Sequence, residues 1–398
     1  MKKNFLRTVA TTLFAVLLVS TLFACDSSGT SYDESTSAIS SEVSEESMYT
    51  DLLSHMDDAD YDRTVTFLVE GDYRDRYRSV EIMPNESSSE LISSSIFERN
   101  ARVEEKLGVT IAEIRTSSSS ELPTKVRAEN LASTGAFDIA MPYLVDAASL
   151  SLGNCFLDLS EYQVLSFNEN YWNQPALRDL TIAGKIYFAS GDFALLSFEC
   201  VHGIVFNKTL MTQYGIDSPY TAVENGTWTL DTLSQMAKTA TGEYDGEDGI
   251  TYKDNIGFWV DSDYMLTLFL GSGEKMTSKD DDDLPYIAID TKRAAEVTAA
   301  LVELVADKTS TIHIESFHDL TVAAGYKDCY YYATEAFADK HALFRSLSLV
   351  DLEELSEFTV DYGILPTPKY DDTQTDYYCY GSAQTVTAAA IPTTASEP

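Results

Sequence analysis

The 398-residue chain carries 64 acidic against 27 basic side chains, a formal charge of −37, and 44% of its residues are hydrophobic. The hydrophobic share is that of a folded protein, while so strong a negative charge repels nucleic acid and anionic lipid and argues against both as partners. An acidic surface that only confers solubility fits the same numbers.

The first 25 residues set the compartment. Lys2, Lys3 and Arg7 precede 17 uncharged residues, Thr8 to Ala24, and small Ala24 stands before Cys25. A basic start, a short apolar run and a small residue at the cut describe a secretory signal peptide over 1–24, too short for a membrane span of about 20 residues. Cleavage there removes three cations and takes the charge from −37 to −40. The segment 25–62 reads as a disordered tether, since Asp26 to Asp60 holds ten Ser, ten Asp or Glu and no Lys or Arg. Such a composition cannot bury enough apolar surface to order itself, and as a coil it spans on the order of 30–35 Å.

The remaining body of about 340 residues exceeds the usual single domain and predicts two lobes. A strand at Thr64–Val69 leads to a helix over Ser88–Leu107, with Ile92, Ile96, Val103 and Leu107 on one side and Gly108 to stop it. Then come a strand at Val109–Ile114, a helix at Leu122–Ser133 and a strand at Phe137–Met141. This alternation predicts a parallel α/β sheet whose ligands sit outside the carboxyl ends of the strands. Further along, Lys185–Ala189 and His202–Phe206 read as strands, and Asn207 as the cap of a helix over Lys208–Tyr214. Thr229 caps Leu230–Thr239, with Gly242 ending it, and Asp290 caps a long helix through Ala306 with Ala294, Val297, Leu301 and Leu304 inward. A helix is expected over Ala333–Leu347, with Phe337, Phe344 and Leu347 on one face, and a strand at Tyr362–Leu365 before Pro366 and Pro368. Beyond Cys25, the cysteines Cys155, Cys200, Cys329 and Cys379 are widely spaced, and two disulfides or four buried thiols both remain open.

Several stretches carry a family resemblance: FERNARVEEKLGVTI (97–111), FDIAMPY (137–143), FLDLSEY (156–162), AGKIYFASGD (183–192), VFNKTLMTQYGI (205–216), NGTWTLDTLSQMAK (225–238) and YGILPTPKYDDTQTDYY (362–378). In this order they resemble the family 1 extracellular solute-binding proteins, the maltose-binding-like lipoproteins of Gram-positive ABC importers. The ending Leu22-Phe23-Ala24-Cys25 likewise resembles a lipobox, with Phe23 bulkier than the usual residue, and implies diacylglycerol on Cys25. The resemblance implies an α/β, two-lobed type II periplasmic-binding-protein fold with a hinge and an interlobe cleft. It places 63–192 and 361–398 in lobe 1 and 193–360 in lobe 2. The implied function is capture of a sugar or oligosaccharide by hinge closure for an ABC importer permease, by a monomer held on the extracellular face of the membrane. Family members run on for several helices after the return crossing, so a chain stopping at Pro398 is expected to be truncated, with an incomplete second lobe.

A sugar site needs flat aromatic faces and directional polar groups. The candidates are Glu70 at the end of the first strand, Tyr143 at the end of the third, Asp192 near the first crossing, Trp172 in an irregular stretch, Trp259 ahead of Asp261 and Asp263, and Tyr331 in a run of three tyrosines. Trp228, beside a helix cap, reads as structural. No cofactor or metal is expected: HIESFH (313–318) spaces its histidines by five rather than four and lacks a third ligand, and the acidic loop Glu243–Asp254 lacks the EF-hand pattern. GxSxG, GxxxxGK[ST] and GxGxxG are absent, so no enzyme is expected. A surface enzyme acting on polysaccharide, and a receptor for peptides or polyamines, remain as alternatives, because acidic pairs abound by composition alone.

Overall fold

The first folded segment, β1 (Arg63–Val69), lies between β2 (Val109–Arg115) and β3 (Ile139–Met141), all three parallel. The computed structural model describes residues 58–84, 90–242, 246 and 251–395. The signal peptide, Cys25, nearly all of the tether and most of the loop Glu243–Asp254 lie outside the described residues. The chain forms two units, residues 1–196 with 383–398, and residues 197–382.

In unit 1, α1 (Glu90–Leu107) and α2 (Glu121–Ala132) carry the chain from strand to strand, followed by α3 (Leu144–Leu152) and α4 (Gln174–Leu180). Alternation along β1 divides the core in two. Val65, Phe67 and Val69 join Val103, Leu107 and Ile139 on one face, while Leu68 joins Leu122, Val126 and Ala140 on the other. Lys185–Ala189, expected as a strand, makes only isolated bridges, Lys185 to Ile182 and Ala189 to Ala389. The chain's last part completes this unit: Ala390 and Ala140 exchange backbone hydrogen bonds of 2.9 Å each way, and Ala388, Ala389 and Ala390 are buried. Small side chains allow this close approach. Ile391–Thr394 follows, bridging Phe156 through Pro392 and then turning.

The boundary into unit 2 falls within α5 (Leu195–Glu199). Unit 2 is a five-stranded sheet, in which β4 (His202–Asn207), β5 (Ile256–Val260), β8 (Thr311–His313), β9 (Ala342–Ser348) and β10 (Tyr362–Leu365) take the order β10-β4-β9-β5-β8. β4 runs antiparallel to both its neighbours, and β5, β8 and β9 are parallel. A separate hairpin pairs β6 (Thr277–Lys279) with β7 (Pro285–Ile287). Helices α6 (Lys208–Tyr214), α7 (Pro219–Glu224), α8 (Leu230–Thr239), α9 (Ser262–Gly271), α10 (Lys292–Ala306), α11 (His318–Ala323), α12 (Cys329–Ala338) and α13 (Leu352–Leu355) complete it. Asn207 and Thr229 cap α6 and α8 through their side chains. The cap of α10 is Thr291 rather than Asp290, since its hydroxyl accepts from Ala294 N at 2.9 Å, and α8 ends at Ala240 rather than Gly242.

Two expectations are corrected here. The chain returns to unit 1 after Ser382, not near 361, because β10 pairs antiparallel with β4 and holds 361–382 in unit 2. The expected helix Ala333–Leu347 is a helix and a strand. α12 stops at Ala338, Lys340 takes a left-handed φ of 70°, and β9 begins at Ala342. Phe344 and Leu347 then fall on opposite faces of the sheet, in separate cores.

Candidate functional site

The carboxyl-terminal edges of the two sheets collect the polar residues, and each edge is built within its own unit. In unit 1, β1 runs into Glu70 and Gly71. The buried Glu70 carboxylate accepts from the Tyr73 hydroxyl and from Thr116 Oγ1 at 3.3 Å. Thr116, just past β2, locks the corner: its N–H donates to Val69 O at 3.1 Å and its hydroxyl accepts from Gly71 N at 3.2 Å. A Cβ on Gly71 would stand 1.7 Å from Thr116 O, so only glycine lets the two backbones meet.

Tyr143, just past β3, is buried, and its hydroxyl donates to Tyr77 O at 2.6 Å, tying down the short 3₁₀ turn after Gly71. Trp172 is a core residue rather than an exposed platform. It is 1% exposed, its indole N–H donates to Leu165 O at 2.7 Å, and its ring packs on Phe167, Tyr171 and Phe193. Asp192 shares that corner, its N–H donating to Tyr171 O at 2.8 Å. It remains half-buried, and burial pushes its carboxyl pKa up. A neighbouring buried network escaped the sequence reading: Arg99 donates to Glu81 O and to Asn100 Oδ1, and burial pushes its guanidinium down to about 10.

In unit 2 the edge is denser. Asp261 follows β5 and caps α9, accepting from Tyr264 N at 2.8 Å. Its other carboxylate oxygen accepts from Ser346 Oγ at 2.7 Å, and Ser346 Oγ in turn accepts from Asp261 N at 3.1 Å. Burial pushes the Asp261 pKa up against the hydrogen bonds of Ser346 and Tyr264 and the attraction of His202. His202 opens β4 at this same edge and bonds Thr267 through Nδ1. Burial pushes its imidazole down, opposed by Asp261, Asp263 and Asp351.

Beside it, Glu315 Oε1 accepts from Ser262 N at 2.9 Å and from the Tyr330 hydroxyl at 3.1 Å. His313 Nε2 lies 3.0 Å from Ser262 Oγ and 3.3 Å from Glu315 Oε2. These three residue types suggest a nucleophile triad, but the geometry is different. In a triad the acid orients the imidazole from the nitrogen opposite the serine. Here serine and acid face the same Nε2, and Nδ1 meets Ser316 Oγ at 3.2 Å. The cluster therefore fixes the start of α9 and offers hydroxyl, imidazole and carboxylate groups for hydrogen bonding. Among the described residues, no group of three or more His, Cys, Asp or Glu side chains is arranged to hold a metal.

Of the aromatic candidates in unit 2, Trp259 is 2% exposed and packs on Tyr332, within the core. Tyr331 is half-buried in α12 beside Phe358, while its neighbour Tyr330 is the tyrosine that reaches the edge. Trp228 is structural: fully buried, it donates to Pro366 O at 2.9 Å and packs on Phe344. Sequence reasoning passed over His202 and Ser346 as site residues, and from the run of three tyrosines it chose Tyr331 rather than Tyr330. Asp261 was within reach, because an Asp directly after an apolar strand and before a helix is a cap signature at a carboxyl-terminal edge. Cys155 and Cys329 are buried thiols and Cys379 is exposed, none of them in a disulfide.

No family model matches the chain, and no curated protein matches it. Solved structures do. A cyclo/maltodextrin-binding protein complexed with maltotetraose superposes with a TM-score of 0.55 at 14% identity, over 84% of this chain and 71% of that one. A sugar transporter from Rhizobium etli in an open conformation gives 0.52 at 13%, over 83% and 72%. The GacH receptor of Streptomyces glaucescens, determined unliganded and with acarbose, gives 0.50 at 14%, over 83% and 71%. The chain thus has the mixed α/β, two-unit fold of these solute-binding proteins.

Proposed function

We propose that this chain is an extracellular receptor that captures a sugar or oligosaccharide and delivers it to the permease of an ABC importer, and that it is not an enzyme. The observation that carries the reading is the fold, two α/β units with the chain crossing out near residue 196 and returning at 383, together with its likeness to a maltodextrin-binding protein solved with maltotetraose and a receptor solved with acarbose. The polar edges support it. Asp192 in unit 1, and Ser262, His313, Glu315 and Tyr330 in unit 2, are the hydrogen-bonding types that sugar hydroxyls require. The arrangement of His313 against Ser262 and Glu315 gives no activated nucleophile, which favours binding over turnover. Anchoring rests on the lipobox-like Leu22–Cys25 and the Ser- and acid-rich segment behind it.

The test is thermal unfolding of purified protein against a panel of sugars and oligosaccharides. A ligand that binds only the folded state adds about 2.7 kcal/mol at a hundredfold excess over Kd, enough to raise Tm by several degrees. One class of saccharide should do so, and silence across the panel would remove the sugar assignment. For the anchor, Cys25→Ser should release the protein from the membrane fraction into the medium. A variant that stays membrane-bound argues against lipidation at Cys25.

A further inference from the structure

A pocket of about 230 Å³ opens in unit 2 at the amino-terminal ends of β5 and β9, opposite the edge described above. One wall is a face of α12 carrying Tyr332 and Glu335, continued by Asp339, the residue that caps the helix. Tyr326 stands against it, its ring 4.7 Å from that of Tyr332, and Tyr252 packs on Tyr332 from another side at 5.2 Å. Both lining phenols are already engaged: Tyr326 donates to Glu335 Oε1 at 3.2 Å and Tyr332 to Tyr252 O at 3.0 Å.

The charge placement is mildly unfavourable. Glu335 and Asp339 are like charges four residues apart, at the negative end of a helix that has no basic residue in its last turn. Each feature disfavours the helix. Lys253 also lines the pocket, its ammonium 5.7 Å from the centroid of the Tyr252 ring, so that two carboxylates face one lysine. The negative field is felt locally: burial first, then Glu335, raises the Tyr326 phenol pKa. His341 closes the pocket, with Nδ1 3.1 Å from Asn255 Oδ1, and burial lowers its pKa and so disfavours a competing charge.

We propose that this pocket binds a small organic ammonium ion, held by the rings of Tyr326 and Tyr332 and by the carboxylates of Glu335 and Asp339. Aromatic walls attract a cation through the ring quadrupole, and the two acids outnumber the one lysine that lines the pocket. The volume lies below the range of about 300–1,000 Å³ usual for drug-sized ligands and suits an amine of a few heavy atoms. The site is independent of sugar capture and stands or falls separately from it.

The experiment is calorimetric titration of the full-length protein at low ionic strength with choline, with methylammonium, and with 3,3-dimethylbutan-1-ol, the uncharged isostere of choline. Saturable binding of at least one ammonium is expected, with the neutral isostere roughly tenfold weaker or more. The double variant Glu335→Gln, Asp339→Asn should weaken binding by a similar factor. It should also unfold at a higher temperature, because it removes the repulsion, so lost binding cannot be ascribed to misfolding. Tyr326→Phe keeps the ring and should keep most of the affinity. Equal affinity for the neutral isostere, an unchanged double variant, or no saturation by either ammonium overturns the proposal, whatever the sugar panel shows.

Discussion

Replacing Ser346 by alanine should cost unit 2 more than a serine on a strand usually does. Ser346 is 1% exposed, and its hydroxyl serves Asp261 twice, donating to Oδ2 at 2.7 Å and accepting from N–H at 3.1 Å. A methyl group removes a hydrogen bond to a charged group, worth about 1.5–3 kcal/mol, and orphans a buried N–H at about 1–3 kcal/mol. The two losses share one side chain and do not add in full, so about 2–4 kcal/mol is expected at neutral pH. The pH dependence sharpens the test. Burial raises the Asp261 pKa, so its ionised form is a penalty absent below the ordinary carboxylate range and fully present above the raised value. The Ser346 hydrogen bond eases that penalty. The loss in Ser346→Ala should therefore be larger at pH 8 than at pH 4.5. Urea unfolding by fluorescence in a Trp172→Phe background isolates the signal of Trp228 and Trp259, both in unit 2. A loss under about 1 kcal/mol, or one that does not depend on pH, refutes the claim that Ser346 sustains a buried carboxylate.

Gly257→Ala should destabilise by about 3 kcal/mol or more, because its Cβ would stand 2.0 Å from Ala237 O and 2.4 Å from Ala237 Cα, rigid backbone of α8. Urea midpoints measure this, and a near-neutral variant would mean that α8 can shift. Lys340→Gly should stabilise by about 0.5–1 kcal/mol, since Lys340 is exposed and holds a φ of 70° at the end of α12. A loss of stability by the same assay would show a contact that outweighs the strain. Acidification should weaken unit 2 through His202, whose folded pKa lies below the ordinary value. Its contribution is complete above the unfolded pKa near 6.5 and fades as pH falls through the folded one. His202→Asn should flatten the fall in urea midpoint between pH 7.5 and 5, and an unchanged slope would assign the pH response elsewhere.

The alternation from Thr64 to Met141 was legible because the helix Glu90–Leu107 is amphipathic and the first two strands end at the polar or glycine corners Glu70-Gly71 and Thr116. Asn207 and Thr229 could be placed for the same local reason, since a cap needs only its own next three residues. The misread stretch, Ala333–Leu347, shows where local pattern fails. Phe337, Phe344 and Leu347 fit a helical stripe, yet nothing within Asp339-Lys340-His341 announces a break, and only pairing with β4 and β5 makes 342–348 a strand. The late return at Ser382 has the same cause: β10 belongs to unit 2 through a partner about 160 residues earlier, a contact that no window of sequence contains. The candidate site was blurred by side-chain size. Trp172 and Trp259 were chosen as large flat rings, but a large ring gains most by full burial, and both took it. Tyr330 and Tyr331 differ by one position on α12, and the phase is set by Cys329, Tyr332, Ala333, Ala336 and Phe337 facing the core. Once that buried stripe is known, Tyr330 is the residue left to reach Glu315, so the helix phase, rather than residue type, is what selects the tyrosine at the edge.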